Sequence, residues 1–150
     1  MSNFSDYVAI IAQVLSDDDI MNALVDGQII PGFRRSKADS YLGGSNQACV
    51  GVRNILSQDQ PLPGCAYHGI SKYDDRIEIV IISISDDDVY AASIEAVVKR
   101  LLKGSVMKTM NNIAYNFAVG KLDFYPLNDD LVPANWIQRV GTTGITYLDV

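Results

Sequence analysis

Arg76–Ser85 is an almost continuous β-branched run, in which Ile77, Ile79 and Ile81 fall on one side and Val80, Ile82 and Ile84 on the other. This is the pattern of a strand, and apolar residues on both of its faces mean that both faces are covered. Directly after it the spacing becomes helical. Tyr90, Ile94, Val97, Val98 and Leu101 form one stripe of a helix over Asp87–Lys103. Asp86, Asp87 and Asp88 stand at the positive end of its dipole, Lys99, Arg100 and Lys103 at the negative end, and Gly104 stops it. Glu95 and Lys99 form an i,i+4 pair in the favourable order. For a small sheet, one face is covered by this helix, and the other is expected to be covered by another subunit.

The remaining pattern is weaker. Tyr7, Ile10, Ile11, Val14 and Leu15 predict a helix over Asp6–Leu15 with Ser5 as N-cap. A second helix starts at Ser16, where Ser16–Asp19 reads as a capping box, and ends at Gly27. Ile30–Gln47 is a long irregular segment punctuated by Pro31, Gly32, Gly43 and Gly44, the kind of loop that is functional or mobile. Strands follow over Ala48–Ser57, with Val50 and Val52 on one face and Cys49 and Ile55 on the other, and over Cys65–Ser71. Turns are expected at Pro61–Gly64 and Tyr73–Asp75. Ile113–Val119 alternates, and a slip of phase through Gly120, Leu122 and Phe124 implies a bulge or tight turn. A loop at Asn128–Pro133 precedes a last β segment over Trp136–Tyr147, interrupted by Gly141–Gly144. The prediction is an α+β fold, one domain over 1–150: a mostly antiparallel sheet with one long helix packed across it and a short N-terminal helix pair.

Composition narrows the function. The chain has 150 residues, 48% of them hydrophobic, and a net charge of −6. An acidic protein does not wrap nucleic acid, which needs a basic face, but like charge suits a channel through which DNA slides. No apolar run approaches the roughly 20 residues that cross a bilayer, and the N-terminus lacks the marks of a secretory signal, so a cytosolic site of synthesis is expected. Cys49 and Cys65 read as reduced, small apolar side chains.

Candidate chemistry is sparse. His68 is the single histidine, and no nucleophile context surrounds it. Asp17–Asp19 and Asp86–Asp88 could hold a metal, but both stand at helix starts, where aspartate caps free N–H groups. Gly43-Gly44-Ser45 lacks the spacing of a phosphate loop. Trp136, Tyr125 and Phe124 read as core or interface residues. The densest basic cluster is Arg34, Arg35 and Lys37, which is either a solvated loop face or a docking surface for an acidic neighbour.

Read in order, the elements resemble the tail terminator, or tail-completion, family of long-tailed bacteriophages. The resemblance runs over nearly the whole chain: VLSDDDIMNALVDGQIIPG, ACVGVRNIL, DDRIEIVIISISDDDVYAASIEAVVKRLLKG and the closing β-rich stretch to ITYLDV. It implies a non-enzymatic virion protein without catalytic residues or cofactor. Members form a ring, usually hexameric, at the head-proximal end of the tail tube, with the sheet facing the channel and the helices outside. The ring halts tube polymerisation and meets the head-side connector. Implied partners are copies of itself, the tail tube protein, the head-completion or connector protein, and a sheath if the tail is contractile. DNA passes through without specific binding, and no membrane is involved. The implied location is the tail or neck of the virion, after assembly in the host cytoplasm. The GGSNQ loop and the Val106–Phe124 stretch depart from the family pattern.

A ring needs two unlike surfaces per subunit. Arg34, Arg35 and Lys37 facing Asp129 and Asp130 of a neighbour would supply them. The alternatives are a head-side stopper or adaptor, a small metal-dependent hydrolase using the aspartate clusters, and a dimeric ligand-binding α+β domain.

Overall fold

The computed structural model describes residues 4–43, 47–61, 71–84, 87–127, 132–133 and 135–149. In chain order these form α1 (Phe4–Ser16), α2 (Asp19–Val25), β1 (Ile29–Pro31), a 3-10 helix (Arg35–Ser40), β2 (Ala48–Pro61), β3 (Ser71–Ser83), α3 (Asp88–Leu101), β4 (Gly104–Met110), β5 (Ile113–Val119), β6 (Asp123–Pro126) and β7 (Ile137–Asp149). The seven strands make one sheet in the order β1-β2-β3-β7-β5-β4, with β6 also paired to β7. Every pairing is antiparallel except β1 with β2.

The expected single long helix across the sheet is not what the chain builds. The sheet is the larger part of the fold; it curls into a half-barrel, and three short helices accompany it. α3 has 14 residues and α1 has 13, so neither dominates by length. The helix at the centre is α1. Tyr7, Val8, Ile10, Ile11, Ala12 and Leu15 are all buried, and they share one core with Val50 and Val52 of β2, Ile79 and Ile81 of β3, and Phe117 of β5. The Tyr7 ring meets Tyr115 and Phe117 edge-on, each at 5.6 Å between centroids. The curled sheet thus touches α1 both through β1–β2 and through the β4–β5 hairpin. The physical reason lies in the helices themselves. α3 carries strong caps and a single apolar stripe, which are the marks of a surface helix, whereas α1 is apolar around most of its circumference, the mark of a buried one.

α3 lies outside, against α2 and the sheet, and buries Ala91, Ile94, Val97 and Val98. The Tyr90 hydroxyl donates to the Leu24 carbonyl, which ties α3 to α2, and its burial pushes the phenol pKa up. α2 begins later than its sequence signals. Ser16 closes α1, its hydroxyl donating to the Ala12 carbonyl at 2.8 Å, and Asp18 is the N-cap, accepting from the Met21 N–H at 3.0 Å.

The second sheet face is sealed by the chain itself, not by another subunit. Phe33, Ala38, Cys49, Val80, Ile82, Val132 and Val140 form a second buried cluster, with Tyr41, Leu42, Leu127 and Trp136 packed on it. The irregular segment after β1 is therefore a cover: Gly32, at φ 72°, turns the chain off the sheet edge, and Phe33 and Ala38 plug the face. Burial pushes the Cys49 thiol up to about 12. In a Cys65→Ser variant, alkylation of native protein at mildly alkaline pH is expected to run roughly a thousandfold slower than in urea, because the thiolate is the reacting species. Equal rates would mean that this cover is open.

Three strand expectations need correction. Tyr73–Asp75 is not a turn: it lies inside β3, paired to β2 on one side and β7 on the other, and pairing on both sides overrides local turn propensity. The turn expected at Pro61–Gly64 does not start at Pro61, which is still in β2; the rest of it, and the Cys65–Ser71 strand up to Ile70, fall outside the described residues. Gly141–Gly144 does not interrupt β7, which is continuous. A Cβ on Gly141 would come within 2.9 Å of Phe124, so glycine there permits a close approach and not a break. The phase slip after Val119 is a bulge. From Val119↔Ile145 to Asp123↔Thr142 the chain takes four steps against three on β7.

Candidate functional site

The basic residues expected to act together, Arg34, Arg35 and Lys37, are separated by the local backbone. Arg34 precedes the 3-10 helix in an extended conformation and is exposed. Arg35 is half-buried, and its Nη1 donates to Gln138 Oε1 on β7 at 3.3 Å, so it fastens the cover to the sheet. Lys37 is exposed. Asp129 and Asp130, the acidic half of the expected pair, lie outside the described residues, as does His68.

Arg34 instead joins Arg53 at a groove of about 460 Å³, where β1 ends and β2 runs on. Val8, Pro31 and Phe33 supply its apolar lining, and Asn54 lines it with an amide. The Asn54 Nδ2 is buried without an acceptor among the described residues. Arg53 and Glu78 are register partners across β2 and β3, bonded through Nε–Oε1 at 2.8 Å and Nη2–Oε2 at 3.3 Å. Arg34 has no ion pair among the described residues.

A second basic groove, of about 600 Å³, forms where the end of α3 meets the β5–β6 connection. Lys99, Arg100, Lys103 and Lys121 all line it, four of the twelve cations in the chain. Three of them have acidic neighbours: Lys99 with Glu95 at 3.7 Å, Arg100 with Asp18 at 3.0 Å, and Lys121 with Asp123 at 3.3 Å. Lys103 has none among the described residues. Glu95 also receives Arg139 of β7 at 2.9 Å, so one carboxylate links helix and sheet. The cations of α3 were legible as a helix end. That Lys121 joins them was not, because only the bulge after β5 brings it there. Arg53 was hidden inside a strand pattern, where an exposed charge reads as an ordinary solvent-facing position.

Within the aspartate clusters, Asp17, Asp18 and Asp87 make structural contacts. Asp87 caps α3 by accepting from the Val89 N–H at 2.9 Å. Asp18 caps α2 and also binds Arg100, while Asp17 accepts from the Lys108 ammonium of β4. Lys108 holds the Asp17 carboxyl below its ordinary 3.8, and the Met21 N–H does the same for Asp18. Carboxyls depressed in the folded state contribute fully above the unfolded value and lose that contribution as pH falls through the folded value. Stability in urea is therefore expected to fall as pH is lowered through the ordinary carboxylate range and below it. Asp18→Asn, which keeps a capping side chain, should flatten the drop; an unchanged slope would remove Asp18 from it. Among the described residues no three His, Cys, Asp or Glu side chains gather as metal ligands.

What the two grooves offer is recognition of negative charge beside apolar surface. No family model matches this chain, and no curated protein matches its sequence. In fold it is similar to a solved chain described as "Virion of native gene transfer agent (GTA) particle", with a TM-score of 0.63 and 14% identity, covering 99% of this chain and 100% of that one. At that identity the likeness is one of fold.

Proposed function

We propose that this chain is a structural, non-enzymatic protein of a phage-like virion. In this reading it forms a ring at the head-proximal end of the tail tube, ends tube polymerisation and joins the tail to the head connector. The observation that carries the reading is the likeness of fold, end to end, to a chain from a gene transfer agent virion. The resemblance of element order to tail terminators supplies the finer role. One feature supports it: Asp18 and Asp87, one from each aspartate cluster, serve as helix caps.

Native mass spectrometry and negative-stain imaging of the purified protein test the reading. The expected result is a closed ring of about six copies, the usual size in the resembled family, formed alone or on adding the tail tube protein. A monomer under both conditions would end the ring reading. Gold-labelled antibody on intact particles tests the position: label at the head–tail joint is expected, and label along the tube or on the capsid would overturn it.

A further inference from the structure

We propose that the outer edge of β2 just beyond β1, together with the Arg34–Arg53–Asn54 groove, receives an extended acidic segment of a different protein, which adds to the sheet in line with β1. This inference stands on the edge and the groove alone and does not need the tail-end reading.

β1 covers only Val50–Val52, while β2 continues to Pro61. The Val50 N–H donates to the Gln28 carbonyl at 2.9 Å, and the Gly32 N–H donates to the Val52 carbonyl at 2.7 Å. Backbone groups alternate in direction along a strand, so Asn54 is the next residue whose N–H and C=O face outward. On that side no strand lies opposite it among the described residues. An unpaired edge of this kind is a template for another strand. The chain itself opens the step, because Gly32 turns Phe33 away into the second core cluster. The β2 bulge between Asn54 and Leu56 keeps the added strand short.

The chemistry of the step selects its occupant. Val8, Pro31 and Phe33 offer an apolar bed. Arg34 offers a cation without an ion pair among the described residues, and Arg53 keeps Nη1 beyond the two nitrogens that bind Glu78. Asn54 Nδ2 is the one buried side-chain donor without an acceptor among the described residues, an arrangement that favours an incoming acceptor. A carboxylate on the added segment accepts from Asn54 and pairs with Arg34, while its backbone meets the Asn54 N–H and C=O. A second copy is the weaker fit. Of the other free edges, β4 reads GSVMKTM, with a lysine and no acidic residue, and would bring like charge to the arginines, while β6, paired only with β7, carries an Asp123 already held by Lys121 at 3.3 Å.

The test uses a fluorescein-labelled, capped peptide, Val-Thr-Asp-Thr-Val, and its Asn counterpart, titrated into the full-length protein by fluorescence polarisation. Binding of the Asp peptide about tenfold tighter than the Asn peptide is expected. Arg34→Glu should abolish that preference, and Lys37→Glu should leave it unchanged. Hydrogen-exchange mass spectrometry should place new protection at 52–56. Equal binding of both peptides, no binding at a few millimolar, protection elsewhere, or indifference to Arg34→Glu would each overturn the proposal. Protection of 52–56 that grows with protein concentration and no peptide would also overturn it, in favour of a second copy.

Discussion

Ile11→Ala will lower the free energy of unfolding by about 2–5 kcal/mol, the cost of emptying a well-packed aliphatic site. Ile11 is fully buried in the core that β2, β3 and the β4–β5 hairpin build around α1. The cost falls at the high end because sheet meets the helix from two sides, so little backbone can relax into the void. Val89→Ala is the matched control. Val89 is 73% exposed on the first turn of α3, and its loss should change stability by less than about 0.5 kcal/mol. Urea unfolding of both variants decides the matter. If Ile11→Ala cost no more than Val89→Ala, α1 would not be the centre of this fold.

Gly51→Ala will destabilise the protein by about 1–3 kcal/mol or more through overpacking. A Cβ at Gly51 would lie 2.3 Å from Phe33 Cγ and Cδ1 and 2.4 Å from Phe33 Cβ. Those atoms are the root of the side chain, so a rotation of the ring does not clear them; the backbone of the cover has to move. Phe33→Ala alone should cost about 3–5 kcal/mol. The double variant should lose less than the sum of the two single losses, because the contacts with Cγ and Cδ1 go with the ring while the one with Cβ stays. Strict additivity of the two losses would show that Gly51 is needed for some other reason.

The elements whose partners are close in sequence, or whose two faces differ, were legible. The two-sided alternation of Ile77–Ile82 assigned each β3 residue to the core it occupies, and Val50, Val52 and Cys49 sorted correctly on β2. The bulge after Val119 showed as a slip of phase. The identity of the central helix was not legible from caps and dipoles, since those features mark helices that face water. The sealing of the second face was missed for a related reason. Phe33, Ala38 and Trp136 sit in segments rich in Gly, Pro and polar residues, where an isolated apolar side chain carries no period. The Asn111–Asn112 turn between β4 and β5 had a signal that was available, two asparagines able to take positive φ, here 53° and 63°. The candidate site was legible only in its first residue. Arg34 stood in an obvious cluster, but its neighbours in space, Arg53 and Asn54, come from a strand that only the sheet brings alongside.

Because α1 is the hub of the fold, the ribosome delivers the most water-averse helix before any of the strands that shelter it. Tyr7 has to wait for Phe117, over a hundred residues downstream, which is roughly ten seconds at ordinary elongation rates. During that interval the nascent chain carries a sticky segment with nowhere to bury it. Yield in a host should therefore respond strongly to holdase chaperones and to slower growth temperature, and a fused partner placed ahead of α1 would do more for solubility than one placed behind β7.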